Sequence, residues 1–478
     1  MMIFDVAVIG AGVVGAMIGR ELTKYRLSVC ILEKESDVAM GSSRANSAIV
    51  HAGFDAESGS LKAKLNVRGS QMMEQVAKDL GVSYRRNGSL VIGFNDKDME
   101  SIRILYNRGI QNGVEGLEII GKERLKELEP HISDEAVGAL HAPTGAIICP
   151  YDLTISVVGN AMDNGAKLKL NFPVEKIEWT GQHFRIISGG DVVEARYLID
   201  AAGLYSDEIA RLVGEDSFSI RPRRGEYLIL DKECGSFAGH TVFRTPTKMG
   251  KGILITPTVD GNLLLGPTSE NIDDKEDVEV TAAGIQKIIG EALGDMPEVP
   301  YRKVITSFCG LRATTESGDF IIRPARGNPH FILAAGIDSP GLSSAPAIAE
   351  YVAELLKDAG LKMEENPKFI SLREPTHWFR NLSNSEKNKV IENDPKFGRV
   401  ICRCETVTEG EIIDAIRRNP QATTLDAVKR RTRSGMGRCQ GGFCSPYIVE
   451  ILARELGISF DEVTKSGKDS YLNVGKTK

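Results

Sequence analysis

Two groups of residues in this chain have the types and spacing to do chemistry, and they stand near opposite ends. The first is Gly10-Ala11-Gly12-Val13-Val14-Gly15, a G-x-G-x-x-G run. In such a run the first glycine permits a tight turn and the second admits a pyrophosphate against the backbone, while the third lets helix and strand pack closely. A helix opening there offers free N–H groups and positive partial charge to phosphate. The second group is Cys402-Arg403-Cys404 with Cys439-Gln440-Gly441-Gly442-Phe443-Cys444, which reads as two chelating pairs. Four thiolates suit zinc or an iron–sulfur cluster. Structural zinc favours C-x-x-C-type knuckles, so the C-x-C pair weighs toward a [2Fe-2S] cluster. Gly435, Gly437, Gly441 and Gly442 would let backbone N–H groups approach the sulfurs. A helix opening near Ser445-Pro446 would point its positive end at an anionic cluster. Lys429, Arg430, Arg431, Arg433 and Arg438 crowd the same region. They read either as charge compensation for the thiolates or as a docking patch for an acidic redox partner.

These residues need elements to hold them. The apolar run from Ile3 to Ile9 reads as a buried parallel strand, and Val14, Met17, Ile18, Leu22 and Tyr25 follow at helical spacing. A second strand, Leu27 to Leu32, ends in Glu33, where a ribose-binding acid is expected. Residues 41 to 53 are dense in small and hydroxyl side chains and are expected to run beneath the cofactor. Helices are expected over about 61–80, 97–112, 153–164 and 282–293. The alternating stretch 82–94 and the strand-rich stretch 219–307 predict an inserted antiparallel sheet. Arg196 to Gly203 suits a return to the nucleotide-binding sheet. The strand Phe331 to Ala335 breaks into Gly336 to Ser344 and a last helix, forming a second N–H-rich concavity. Residues 361–396 carry Pro367, Pro375 and many charges without periodicity, so a linker is expected, with Trp378 and Phe379 docking it.

Composition bounds the rest. With 478 residues, 42% hydrophobic and 26% charged, the chain is that of a multi-domain globular protein. A net charge of -6 argues against nucleic acid as a main partner. No apolar run has the length of a membrane span, and no basic leader with a cleavage site opens the chain. A cytoplasmic location is expected, with membrane association only through a partner. Half of the eight cysteines are gathered near the C-terminus, as for a metal or redox site in a reducing compartment.

On Val8 to Gly15, Glu33-Lys34, Asp200-Ala201-Ala202-Gly203, Gly310-Leu311-Arg312, Gly336 and Gly341, residues 1 to about 360 resemble the D-amino-acid-oxidase-type FAD-dependent oxidoreductases. Residues 398 to 450 resemble the bacterioferritin-associated-ferredoxin-like [2Fe-2S] domain. The combination is similar to the large subunits of anaerobic glycerol-3-phosphate dehydrogenases. It implies an α/β Rossmann-type FAD-binding domain interleaved with an α+β antiparallel-sheet substrate domain, plus a small helical [2Fe-2S] domain. The expected FAD-binding parts are about 1–80, 150–215 and 308–360, and the capping parts about 81–149 and 216–307. A linker over 361–396, a cluster domain over 397–455 and a tail over 456–478 would follow. The resemblance assigns FAD to Gly10, Gly12, Gly15, Glu33, Lys34, Ser42, Ser43, Asn46 and Ser47. It adds Val174 through its backbone, then Ala202, Gly203, Gly336, Ile337, Gly341, Leu342 and Ser343.

The resemblance also frames the substrate. Ser43 to Ser47, His51-Ala52-Gly53 and Gly59 to Leu65 resemble L-2-hydroxyglutarate oxidases, but the stretch Lys248 to Leu254 is basic and glycine-rich. Arg244, Lys248 and Lys251 would serve a phosphate. With the fused cluster domain, this favours sn-glycerol 3-phosphate, oxidised to dihydroxyacetone phosphate. His51 is the expected base for the hydroxyl proton while hydride passes to the flavin. Arg312 would anchor an anionic group or the developing oxyanion, unless it is a buried ion pair. Electrons would leave through Cys402, Cys404, Cys439 and Cys444 to a partner subunit. Other readings are a 2-hydroxy-acid dehydrogenase, an amino- or imino-acid dehydrogenase, and an electron-transfer subunit without its own substrate.

Overall fold

The computed structural model describes residues 2–245, 252–375 and 379–475. The Ile3–Ile9 strand lies inside a sheet, parallel to Val29–Leu32 on one side and Asp191–Asp200 on the other. Lys167–Lys169 and Asn328–Ala335 extend the parallel array; Lys167–Lys169 forms one edge, and antiparallel strands finish the side beyond Asp191–Asp200. Side chains alternate across the first strand, so each face gets its own core. Val6 and Val8 face the helices Val13–Thr23, Pro150–Asp163 and Gly341–Asp358. Ala7 and Ile9 face the opposite way, toward Phe172, Phe184 and Phe331.

A second sheet stands over the cavity. Its strands run in the order Glu270–Asn271, Arg221–Leu230, Leu263–Gly266, Leu254–Pro257, Thr241–Arg244, Ser89–Gly93, Gly138–Ala142 and Glu118–Gly121. Pairing is antiparallel except between Thr241–Arg244 and Ser89–Gly93, which run parallel. Val304–Thr314 pairs antiparallel with the full length of Arg221–Leu230, so this sheet runs on to Thr314 instead of stopping at 307. Gly310 allows it: a Cβ there would lie 1.9 Å from the Ala45 carbonyl oxygen. The strand thus passes directly beneath the Ser42–Arg44 turn and carries Arg312 to the cavity. A small third sheet of Ile49–Val50, Ala146–Ile148 and Tyr84–Arg85 joins the two halves and leads into His51.

The C-terminal domain has its own core on Glu409–Arg417, Leu425–Thr432 and Ser445–Leu456. Val463 is fully buried in that core, so the domain continues past 455 and the expected tail is partly its wall. The stretch 361–375 is strapped to the first domain. The Arg26 N–H donates to the Glu364 carbonyl at 2.8 Å, and the Asn366 N–H donates to that of Lys24 at 2.7 Å. The Arg373 guanidinium fills the space that a side chain at Gly159 would need and donates to the Ile155 and Ser156 carbonyls. Burial holds Arg373 down to about 10. The helix Asn384–Asn393, capped by Ser383 and Glu386, has no buried face, which is why apolar periodicity missed it. Phe379 is buried beside Phe397, with ring centroids 5.9 Å apart, whereas Trp378 lies outside the described residues. No described helix is long and apolar enough to cross a membrane.

Candidate active site and redox centre

A cavity of about 2400 Å³ runs between the two sheets. At Gly10 the backbone has φ +103°, and a Cβ would lie 2.4 Å from the Ala201 carbonyl oxygen. At Gly15 a Cβ would lie 2.0 Å from the Gly10 carbonyl oxygen, so this glycine serves strand–helix packing and not the cavity wall. Gly12 faces the cavity at the helix N-terminus, where Ser43 Oγ accepts from the Val13 N–H at 2.9 Å. Ser42 Oγ donates to the Leu311 carbonyl at 2.5 Å, tying this loop to the capping sheet. Asn46 braces the same turn by donating to the Ser42 and Ser43 carbonyls. Ser47 Oγ lies 3.3 Å from the Tyr227 hydroxyl.

At the far end, Glu33 accepts the Ala11 N–H at 2.8 Å and the Glu35 N–H at 3.0 Å, one on each carboxylate oxygen. Burial raises its pKa, with these N–H groups opposing. Each oxygen keeps a lone pair for a ribose hydroxyl. Lys34 lies 3.8 Å from the Tyr205 ring centroid. Val174, Ala202, Gly203, Ile337, Gly341 and Leu342 line the same space, whereas Gly336, at φ +63°, stands outside the lining and packs against Thr315. Ser343 does not. Its hydroxyl is fully buried, accepts the His51 N–H at 2.8 Å and donates to the Ile49 carbonyl at 3.3 Å, so it positions His51. A glycine-walled channel with an acid at the ribose position and a helix N-terminus midway fits FAD.

His51 and Arg312 face the other end. His51 Nε2 is 3.5 Å from Ser339 Oγ, and its ring centroid is 5.9 Å from that of Phe243. Behind His51 lies a smaller cavity of about 110 Å³, walled by Lys62 and Asn66 among others. Arg312 lies over Gly225, where a Cβ would come within 2.7 Å of its Nη2, and donates to the Thr268 carbonyl at 3.4 Å. Among the described residues no carboxylate comes within ion-pair distance of it, so the buried-pair alternative is not what the fold builds. Arg244 also lines the cavity, but its Nε donates to the buried Asp295 and its guanidinium lies 5.0 Å from the Phe94 ring centroid. Burial lifts Asp295 to about 6, although Arg244 pulls the other way. The charge of Arg244 is therefore already met. Lys248 and Lys251 lie outside the described residues. Tyr227, stacked on Phe308 at 4.6 Å, was hidden in an apolar strand pattern that gives no sign of a polar tip.

The four C-terminal thiols pair across their two segments, not within them. Cys404 and Cys439 sulfurs are 3.6 Å apart, and the Cys402 and Cys444 thiols are in hydrogen-bond contact. Gly437 permits this: a Cβ there would lie 2.3 Å from that of Cys404. Among the described residues no three His, Cys, Asp or Glu side chains converge as one metal ion needs. Two facing thiol couples would give two cysteines to each of two irons, the ligand set of a [2Fe-2S] cluster. Cys402 and Cys444 are buried while Cys404 is exposed.

The basic cluster is mostly a seam between domains, not an open docking patch. Arg430 and Arg431 are buried on Asp37, at 2.6 Å and 2.8 Å. Burial alone would raise Asp37, but the two guanidiniums outweigh it and hold the carboxyl at about 2. Arg433 reaches Asp260 at 2.8 Å, Glu405 at 2.9 Å and the Tyr151 hydroxyl at 3.2 Å. Arg438 faces Asp231, and Lys429 is half-buried.

Residues 5–355 match the family described as FAD dependent oxidoreductase, and residues 400–454 match the BFD-like [2Fe-2S] binding domain. The chain is 48% identical to a glycerol 3-phosphate dehydrogenase of Caloramator mitchellensis, over 99% of both chains. It is 32% identical to mitochondrial L-2-hydroxyglutarate dehydrogenase of Bos taurus, over 56% of this chain and 61% of that one. Among solved structures, dithionite-reduced L-alpha-glycerophosphate oxidase from Mycoplasma pneumoniae with FAD bound gives a TM-score of 0.74 at 30% identity. That match covers 78% of this chain and 99% of the other.

Proposed function

Because the chain belongs to the FAD-dependent oxidoreductase family and carries a BFD-like [2Fe-2S] domain, we propose that it is a dehydrogenase of sn-glycerol 3-phosphate. The product is dihydroxyacetone phosphate, and the electrons pass to a partner protein. The observation that carries this reading is the 48% identity to a glycerol 3-phosphate dehydrogenase along the whole chain. When bound, FAD supplies the two-electron acceptor and the cluster a one-electron carrier.

The protein's own side chains do the rest. His51 takes the substrate hydroxyl proton, with Ser343 fixing its backbone and Ser339 within 3.5 Å of its ring nitrogen. Arg312 meets the anionic end or the developing oxyanion, since no described carboxylate competes for it. The Cys404 and Cys439 side of the cluster site reaches solvent, and the electron-accepting partner docks there.

Anaerobic flavin bleaching tests the reading with glycerol 3-phosphate, L-2-hydroxyglutarate and several amino acids offered separately. Rapid bleaching by glycerol 3-phosphate alone is expected. Faster bleaching by L-2-hydroxyglutarate or an amino acid would overturn the substrate assignment.

A further inference from the structure

The segment that follows the BFD-like match forms one wall of the cofactor cavity. Lys465, Ser466, Gly467 and Lys468 line it at the end where Glu33 and Ser36 stand. Residues 464–471 make a built loop. The Lys465 N–H donates to the Ser470 carbonyl at 2.7 Å, the Ser466 N–H donates to Ser470 Oγ at 2.9 Å, and Ser470 Oγ donates to the Gly467 carbonyl at 2.6 Å. The loop is fixed to the cluster domain at the opening of the Leu425–Thr432 helix. There the Leu425 and Asp426 N–H groups donate to the Thr464 and Lys465 carbonyls, and Lys465 pairs with Asp426 at 2.9 Å. On the other side Ser36 Oγ donates to the Ser466 carbonyl at 2.8 Å. Contact there is so close that a Cβ on Gly467, at φ +126°, would lie 2.4 Å from Ser36 Oγ.

We propose that this loop is part of the FAD site, closing over the adenosine diphosphate half of the cofactor. The proposal rests on the FAD reading above. Glu33 marks this end as the ribose end, and Ser36 follows it on the same loop. The wall is cationic: Lys468 and the exposed Arg44 line the cavity there, and Lys465, paired with Asp426, stands beside them. Among the described residues no carboxylate pairs with Lys468. A diphosphate brings two negative charges to such a wall, and because these cations are exposed their attraction is screened by salt. Retention of FAD therefore depends on the C-terminal domain being seated, although neither matched family span includes this loop.

Fluorescence titration of the apoprotein with FAD tests this, with iron content measured on each sample. Three variants are compared with the unaltered chain: one ending at Val463, Gly467→Val, and Lys465→Met with Lys468→Met. Each is expected to bind FAD about tenfold or more weakly while iron content is kept, and the double lysine variant is expected to lose part of the salt dependence. FAD affinity within about twofold of the unaltered chain in all three, with iron intact, would overturn the proposal. If the shortened chain loses iron as well, the two full-length variants decide, because both keep Val463 and its core. Failure of the unaltered chain to bind FAD would instead overturn the cofactor reading.

Discussion

His51 is fixed through its backbone, where Ser343 Oγ accepts its N–H at 2.8 Å, and its ring lies 3.5 Å from Ser339 Oγ and 5.9 Å, centroid to centroid, from Phe243. Replacing it with asparagine removes the base and keeps much of the shape. His51→Asn is expected to slow flavin reduction by about 10²–10⁴-fold in stopped-flow measurements; a rate within about tenfold of the unaltered enzyme would exclude general-base work. Arg312 should behave differently. Arg312→Met is expected to raise KM for glycerol 3-phosphate by about tenfold or more, with Arg312→Lys restoring part of the loss, because a point charge replaces a fork. If both variants change kcat alone, Arg312 acts in the transition state and not in ground-state binding.

At the scale of elements, the Leu425–Thr432 helix is locked to the first domain by two arginines on one buried carboxylate. Removing that carboxylate takes away the ion-pair partner that the two buried guanidiniums share. Asp37→Asn is expected to cost about 3–5 kcal/mol in denaturant melts, as for breaking a buried ion pair. The pH dependence follows from the direction of the shift. Asp37 sits at about 2 when folded, below its ordinary 3.8, so its stabilisation is complete above the ordinary value and is lost as pH falls toward 2. Melting temperatures taken from pH 6 down to about pH 3 should fall more steeply for the unaltered chain than for Asp37→Asn; parallel curves would remove the assignment.

This lock also marks where sequence reasoning stopped. The Gly10 to Gly15 turn, the helices at Leu61–Asp79 and Ala282–Asp295, and the four cysteines were legible because each signal lies within a short window. Arg430 and Arg431 read as charge compensation for the thiolates or as a docking patch because their partner Asp37 lies in another domain. Arg244 read as a phosphate ligand for the same reason, with Asp295 out of view on another element. Ser343 was assigned to the cofactor from its motif, yet its hydroxyl turned to a neighbouring strand. The thiol pairing could not be read from spacing, since Gly437 decides it by letting one segment lie on the other.

For the whole molecule, the two redox sites belong to separate cores joined by buried charge. Cys404, the exposed thiol, is the proposed ligand whose loss disturbs the folded core least. Cys404→Ser is expected to lower iron content and block reduction of a one-electron acceptor, while glycerol 3-phosphate still bleaches the flavin anaerobically. Persistence of acceptor reduction at the normal rate would show that electrons leave without the cluster.

The seam itself sets how the cluster works. Glu405 follows Cys404 directly and holds Arg433, Arg380 and Lys232 at 2.9, 3.2 and 2.8 Å, while Asp260 takes Arg433 and Arg380 from the other domain. Buried pairs of this kind are screened little by salt, and breaking any one of them strands a buried charge. The cluster domain is thus a fixed station and not a swinging carrier. Internal electron transfer should be indifferent to solvent viscosity, so that added sucrose slows only the encounter with the external acceptor.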